Sequence, residues 1–281
     1  MGGGSWTSRA FDDYITTSYG MDSDTYSTSS MSARQIYRAR GLNEKLNPYN
    51  VMRECCDSEE HPNTLPVILA LDVTGSMGQA AVKTAQQLNE IMTSLYEDES
   101  VKDIEFCVMG IGDLYCDNSP IQISQFESDI RIAEQMSDVY FEFGGGGNTW
   151  ESYSAAWYMG LNHCKLDCWD RGQKGIIITL GDELPNPYLD YTELNAVTGD
   201  KLTKDISTVK LLNATREKYD VYHVSVDDEN SSYEWHNRSH KLDDKWRQLL
   251  GDNYKVANLN NLAEVITNII KNKASDNKIT W

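Results

Sequence analysis

The sequence predicts a doubly wound α/β domain, with a mostly parallel sheet flanked by helices. Three observations carry this. Leu65-Pro66-Val67-Ile68-Leu69-Ala70-Leu71 is an unbroken apolar run, the pattern of a strand buried on both faces. Ala81, Ala85, Leu88, Met92 and Leu95 then recur at helical spacing, which marks an amphipathic helix over 77–96. Strand-like and helix-like segments keep alternating downstream, and such alternation builds a doubly wound sheet.

The elements follow in order. Residues 1–64 are rich in Ser, Thr, Tyr, Gly and Asp and show no long apolar period. They read as a polar extension that wraps the domain or docks on a partner, ahead of a domain over 65–281. Ser32 is placed to cap a short helix carrying Arg34, Arg38 and Arg40, a basic cluster that reads as a solvated helix face rather than a binding patch. After the first strand and helix, 104–111 reads as a strand, 121–126 as a short edge strand and 128–136 as a short helix. An extended piece over 139–143 runs into four glycines, 144–147. A helix is expected over 151–163, a strand over 175–180 and a helix over 203–218. A strand over 221–226, a helix over 242–250 and a short strand over 254–257 come next. Leu259, Leu262, Val265, Ile266, Ile269 and Ile270 mark a last amphipathic helix.

Composition excludes several classes. Lys and Arg total 25 against 43 for Asp and Glu, a formal charge of −18. Sequence-independent nucleic-acid binding needs cationic neutralisation of phosphates, so it is disfavoured. Anionic membranes would repel the chain. No window approaches the ~18 consecutive apolar residues of a membrane-spanning helix. The start, Met1 to Trp6, lacks a basic region and an apolar stretch, so no secretory signal is expected and the cytoplasm is the expected site. Six cysteines in 281 residues do not make a disulfide scaffold. His163, Cys164 and Cys168 supply only three local ligands, too few for a structural zinc site.

In doubly wound sheets, ligands bind beyond the carboxyl ends of the strands. Three polar loops lie there. Asp72-Val73-Thr74-Gly75-Ser76 offers a carboxylate and two hydroxyls at alternate positions. Asn148-Thr149 precedes a helix, and Asp182 follows an apolar strand. Carboxylate and hydroxyl oxygens are hard ligands, suited to Mg²⁺ or Mn²⁺ rather than zinc. Glu151 and Glu183 flank these loops and read as solvated acids, and Asp113 and Asp117 as surface acids.

Asp72-x-Thr74-x-Ser76, a later Thr149 and Asp182 after a buried strand resemble the metal-ion-dependent adhesion site (MIDAS) of von Willebrand factor A (VWA) domains. The usual pattern there is Asp-x-Ser-x-Ser, then Thr, then Asp. Thr74 replaces the first Ser but keeps the hydroxyl. Four glycines and an Asn precede Thr149 instead of one Gly, so Asn148 is the alternative at that position. The resemblance covers about residues 65–272. Met1 to Trp6, Asp57 to Pro62, Gln125 to Asp129 and Gly144 to Ser152 are also similar to a bacterial and phage subfamily of these domains.

The resemblance implies a Rossmann-like fold and a non-enzymatic, metal-dependent protein-binding module. Thr74 and Ser76 would ligate Mg²⁺ or Mn²⁺, ahead of Ca²⁺, through their hydroxyls. Thr149 would bind directly or through water. Asp72 and Asp182 would hold coordinating waters, and a partner's Asp or Glu would complete the shell. The last helix is the element that shifts in switching members. Similar bacterial domains work beside MoxR-type AAA+ ATPases, which makes such a motor or its client the implied partner. The alternative is an assembly protein of a phage-like particle, contacting its partners through residues 1–64.

Enzyme readings fit less well. Thr74 to Gly78 resembles a nucleophile elbow around Ser76, with Asp182 and then His223, His236 or His240 in hydrolase order. A hydrolase would place several strands ahead of that elbow, and here the preceding residues read as mostly non-strand. Thr74 stands where a phosphoaspartate enzyme needs a second Asp. Val82 and Met77 replace glycines that a phosphate-binding loop requires.

Overall fold

The computed structural model describes residues 4–98, 101, 103–142, 150–227 and 233–276; for 227, 233–240 and 275–276 only the backbone is described. Six strands form the main sheet: β1 (Leu65–Asp72), β2 (Ile104–Ile111), β3 (Ile121–Ile123), β4 (Gly175–Gly181), β5 (Tyr219–Asp227) and β6 (Tyr254–Asn258). Their order across the sheet is β3-β2-β1-β4-β5-β6. All neighbours are parallel except β3, which pairs antiparallel with β2 at one edge. The fold is therefore the doubly wound, mostly parallel Rossmann-like one expected. The order reverses between β1 and β4, and that switch point is where such sheets open a crevice for ligands.

β1 is central, and all eight of its residues are buried. A proline inside it is tolerated for a specific reason. Leu65 N–H donates to Asp103 O on the β2 side (2.8 Å), so position 66 turns toward β4. Pairing with β4 begins only at Val67, opposite Ile176, and Pro66 interrupts no ladder bond.

Side chains alternate between the two faces, as strand geometry demands. Val67, Leu69 and Leu71 of β1 join Phe106, Val108, Ile176, Ile178 and Leu180 in one apolar layer. Ile68 and Ala70 join Cys107, Met109 and Ile177 in the other. Because both faces are covered, the strand sequences show no polar alternation.

Helices fill both layers. Among them are α1 (Ser8–Tyr19), α2 (Gly78–Gln86), α3 (Leu88–Glu97), α4 (Arg131–Ser137), α5 (Ser154–Asn162), α6 (Thr208–Thr215), α7 (Tyr233–Leu250) and α8 (Leu262–Asp276). Residues of α1–α4 and α8 belong to the first layer and residues of α5–α7 to the second. Among the described residues, no helix is long and apolar enough to cross a membrane.

The N-terminal segment lies against the first layer. Thr7 caps α1 by accepting the Ala10 N–H, and Gly20 closes it at φ +69°, a conformation that favours glycine. Ser32 and Gln35 form a capping box on the short helix Ala33–Ile36. Trp6, Phe11, Ile15, Tyr26, Ile36 and Tyr37 are all buried in that layer. Each such side chain contributes roughly 1.5–3 kcal/mol when fully buried. The apolar residues of this segment are thus spent on the chain's own core.

Several boundaries differ from expectation. The helix expected over 77–96 is two helices, broken at Gln87 (φ −92°, ψ 4°). The break adjoins Gln86, whose amide is drawn toward Tyr26 O and Ser29 O. The extended piece at 139–142 joins no strand. Gln122 instead receives Tyr140 N–H at Oε1 and donates to Tyr140 O, so one amide takes the place of a strand partner. Residues 143–149 lie outside the described residues. α7 starts nine residues before the expected 242. All six cysteines are free. His163 spends its ring nitrogens on Val51 O and Asp200, not on Cys164 or Cys168.

Candidate metal centre

β1 and β4 end side by side at the switch point, and their loops bring Asp72, Thr74, Ser76 and Asp182 together. Asp72 is fully buried. Its Oδ1 accepts the Thr74 N–H (2.9 Å) and the Thr74 hydroxyl (2.5 Å). This bond to the residue two ahead turns the chain off the strand. Asp72 does not cap the helix that follows; that helix begins at Gly78 after a 3₁₀ turn over Gly75–Met77. Ser76 Oγ donates to Asp182 Oδ1 (3.1 Å) and lies 3.4 Å from Thr74 Oγ1. Thr149 and its alternative Asn148 lie outside the described residues.

A side chain that sequence reasoning missed completes the carboxylate's surroundings. Tyr153, just before α5, donates its hydroxyl to Asp72 Oδ2 (2.6 Å). It reaches there because β4 ends in Gly181. A Cβ at 181 would stand 2.0 Å from the Tyr153 oxygen, so only glycine leaves room. The Tyr153 ring packs edge-on against His223 (5.0 Å) and beside Trp246 (5.6 Å), and His223 stacks on Trp246 at 3.6 Å. The signal was present as an aromatic two residues after Glu151, but its partner could only be known from the fold.

The electrostatics are those of acids drawn together and buried. Burial first, and the Asp182 charge second, push the Asp72 carboxyl up to about 7. Burial, then Asp72, push Glu151 up to about 10. Glu151 is 5% exposed, and its Oε2 has no hydrogen-bond partner among the described residues. This corrects the expectation of a solvated acid. Asp113 is also buried, receiving N–H or O–H bonds from Tyr115, Ser152 and Asn186. Burial alone drives His223 well below its usual value.

The donor set fits a hard divalent cation. All four groups are oxygens, two of them on carboxylates, and the Asp182 charge adds to burial in raising Asp72. The hydroxyl protons of Thr74 and Ser76 already point at Asp72 and Asp182, which leaves oxygen lone pairs for a ligand role. Among the described residues, no three His, Cys, Asp or Glu side chains converge as a metal site. The arrangement is therefore two acids plus two hydroxyls, with coordination positions left for water or a partner. The hydrolase geometry is not formed by His223: it is buried beneath the site and bonds Thr179 Oγ1 through Nδ1. The side chains of His236 and His240 lie outside the described residues.

No protein-family model and no curated protein matches the sequence. Solved structures do. The pilus adhesin SpaC from Lactobacillus rhamnosus GG is 15% identical, with TM-score 0.46 over 81% of this chain; the match spans 31% of that adhesin's length. The vWF domain of the pilus tip protein Mfa5 from Porphyromonas gingivalis is 12% identical, with TM-score 0.48 over 78% of this chain and 97% of that one. Proximal thread matrix protein 1 from the mussel byssus, with a zinc-occupied MIDAS motif, is 11% identical, with TM-score 0.42 over 76% of this chain and 48% of that one. The fold of the present chain is a doubly wound, mostly parallel sheet with the Asp-x-Thr-x-Ser turn at its switch point.

Proposed function

We infer that the chain is a non-enzymatic, metal-dependent protein-binding module. The observation that carries this is the meeting of Asp72, Thr74, Ser76 and Asp182 at the switch point, with two carboxylates and, among the described residues, no cationic side chain bonded to Asp72. Thr74 and Ser76 are the direct ligands in this reading, with Thr149 as a further one. Asp72 and Asp182 orient the hydroxyls and hold water. A bound Mg²⁺ or Mn²⁺ supplies the Lewis-acidic charge that a partner's Asp or Glu would complete. Tyr153 fixes Asp72 in place, so the site is preorganised.

Calorimetric titration of Mg²⁺ and Mn²⁺ into chelator-treated protein, beside Asp72→Ala, tests the site. Single-site binding lost in the variant supports it. A partner pull-down indifferent both to EDTA and to Asp72→Ala sinks the binding mode. A MoxR-type AAA+ ATPase or its client, which the resemblance implies, is the first partner to offer in that pull-down.

A further inference from the structure

We propose that the cleft beside the Asp72 loop, lined by Arg34, Arg38, Arg40, Tyr37, Tyr140 and Phe141, is a second docking site, for an acidic segment of a partner protein. The cleft has a volume of about 790 Å³. It rests on the metal-site reading only in sharing a partner with it; the cleft itself is built from other residues.

Its charge is unusual for this chain. Acids outnumber bases 43 to 25 overall, yet no Asp or Glu occurs between Asp24 and Glu44, and three arginines do. Arg34, Arg38 and Arg40 are exposed. The cleft's floor is fixed. Tyr37 is buried, donates its hydroxyl to Ala81 O (2.8 Å) and packs its ring 4.9 Å from that of Phe141. Arg38 is preset by stacking 4.1 Å over the Tyr19 ring and by one bond from Nη2 to Ser18 O. A guanidinium has five N–H donors, so most of its fork is left for a carboxylate.

Position ties the cleft to the metal loop. Phe141 lines it, and the next residue, Glu142, donates its N–H to Val73 O (3.0 Å). Val73 sits between Asp72 and Thr74. A chain placing one acid at the metal loop would therefore carry its neighbouring residues across the cleft mouth. Arginines at alternate positions, 38 and 40, suit several carboxylates on an extended peptide. The net charge of −18 opposes a denser polyanion such as nucleic acid.

The test uses the full chain and a fluorescein-labelled hexaglutamate peptide, read by anisotropy in EDTA and in Mg²⁺. In EDTA, the Arg34→Glu/Arg40→Glu double variant should bind about tenfold or more weakly than wild type at an unchanged melting temperature. Arg40→Gln should fall between them. Asp72→Ala should bind as wild type in EDTA and lose only the gain that Mg²⁺ brings. Equal affinity of wild type and double variant in EDTA overturns the proposal. So does tighter binding of a hexathymidylate oligonucleotide, which would assign the cleft to nucleic acid, or full displacement by inorganic phosphate alone. Absence of any Mg²⁺ gain, with the arginine dependence intact, refutes the metal reading and supports the cleft.

Discussion

Replacing Tyr153 by Phe removes one hydroxyl and leaves the ring against His223 and Trp246, so no cavity opens. What is lost is a 2.6 Å bond to a wholly buried carboxyl. A hydrogen bond to a charged group contributes about 1.5–3 kcal/mol, and one to a neutral group about 0.5–1.5 kcal/mol. The cost therefore depends on whether Asp72 is ionised. Its folded value near 7 stands above the unfolded carboxyl's 3.8. A raised folded value means the native state holds the proton more tightly. Metal-free wild type should thus lose stability as pH rises from about 4 to about 7, by ~4 kcal/mol at most, then level off. The Tyr153 bond favours the charged form, so Tyr153→Phe raises Asp72 further and extends that falling limb. Urea unfolding in EDTA should show a cost of about 1 kcal/mol more at about pH 8.5 than at about pH 5.5. In an Asp72→Asn background the excess should vanish. An equal cost at both pH values and in both backgrounds would refute the assignment of Tyr153 to Asp72.

Two further outcomes follow from the same geometry. Gly181→Ala places a Cβ 2.0 Å from the Tyr153 oxygen and should displace Tyr153 from Asp72; near-ultraviolet circular dichroism should change and unfolding should come about 1–3 kcal/mol earlier. Asp182→Asn removes the charge that helps raise Asp72, so metal-free protein should gain stability above neutral pH, while calorimetry should show metal affinity down about 10–100-fold.

The sheet was legible because its strands are buried on both faces and so appear as apolar runs: Leu65 to Leu71 and Gly175 to Leu180 needed no structural context. The meeting of Asp72, Thr74, Ser76 and Asp182 was legible because loops at neighbouring strand ends converge at the switch point. The N-terminal helices were harder to see. Phe11 and Ile15 are a single pair of apolar residues four apart in a polar stretch, and their burial depends on α2 and α3, not on local pattern. The network around the site was hidden for the same reason. Tyr153 meets Asp72 across 81 positions, and Glu151 is buried by elements that its neighbours in sequence do not announce. An acid next to a polar loop resembles a surface residue until the fold encloses it.

The two hydroxyls separate what the site does from what holds it up. Both are direct ligands in the proposed reading, but their surroundings differ. Ser76 is exposed and donates to Asp182 near the surface. Thr74 is buried, and its hydroxyl bonds the fully buried Asp72 carboxyl at 2.5 Å. Ser76→Ala should leave unfolding within about 0.5 kcal/mol of wild type while abolishing the calorimetric signal for Mg²⁺. Thr74→Val keeps shape and removes the hydroxyl, so it should cost metal binding and also about 1.5–3 kcal/mol of stability at alkaline pH. Part of that cost should be absent near pH 5, where Asp72 carries a proton of its own. If Ser76→Ala binds Mg²⁺ as wild type does, Ser76 is a surface hydroxyl bonded to Asp182 and nothing more. The cation, if any binds, would then lie deeper, among Asp72, Thr74 and the buried Glu151.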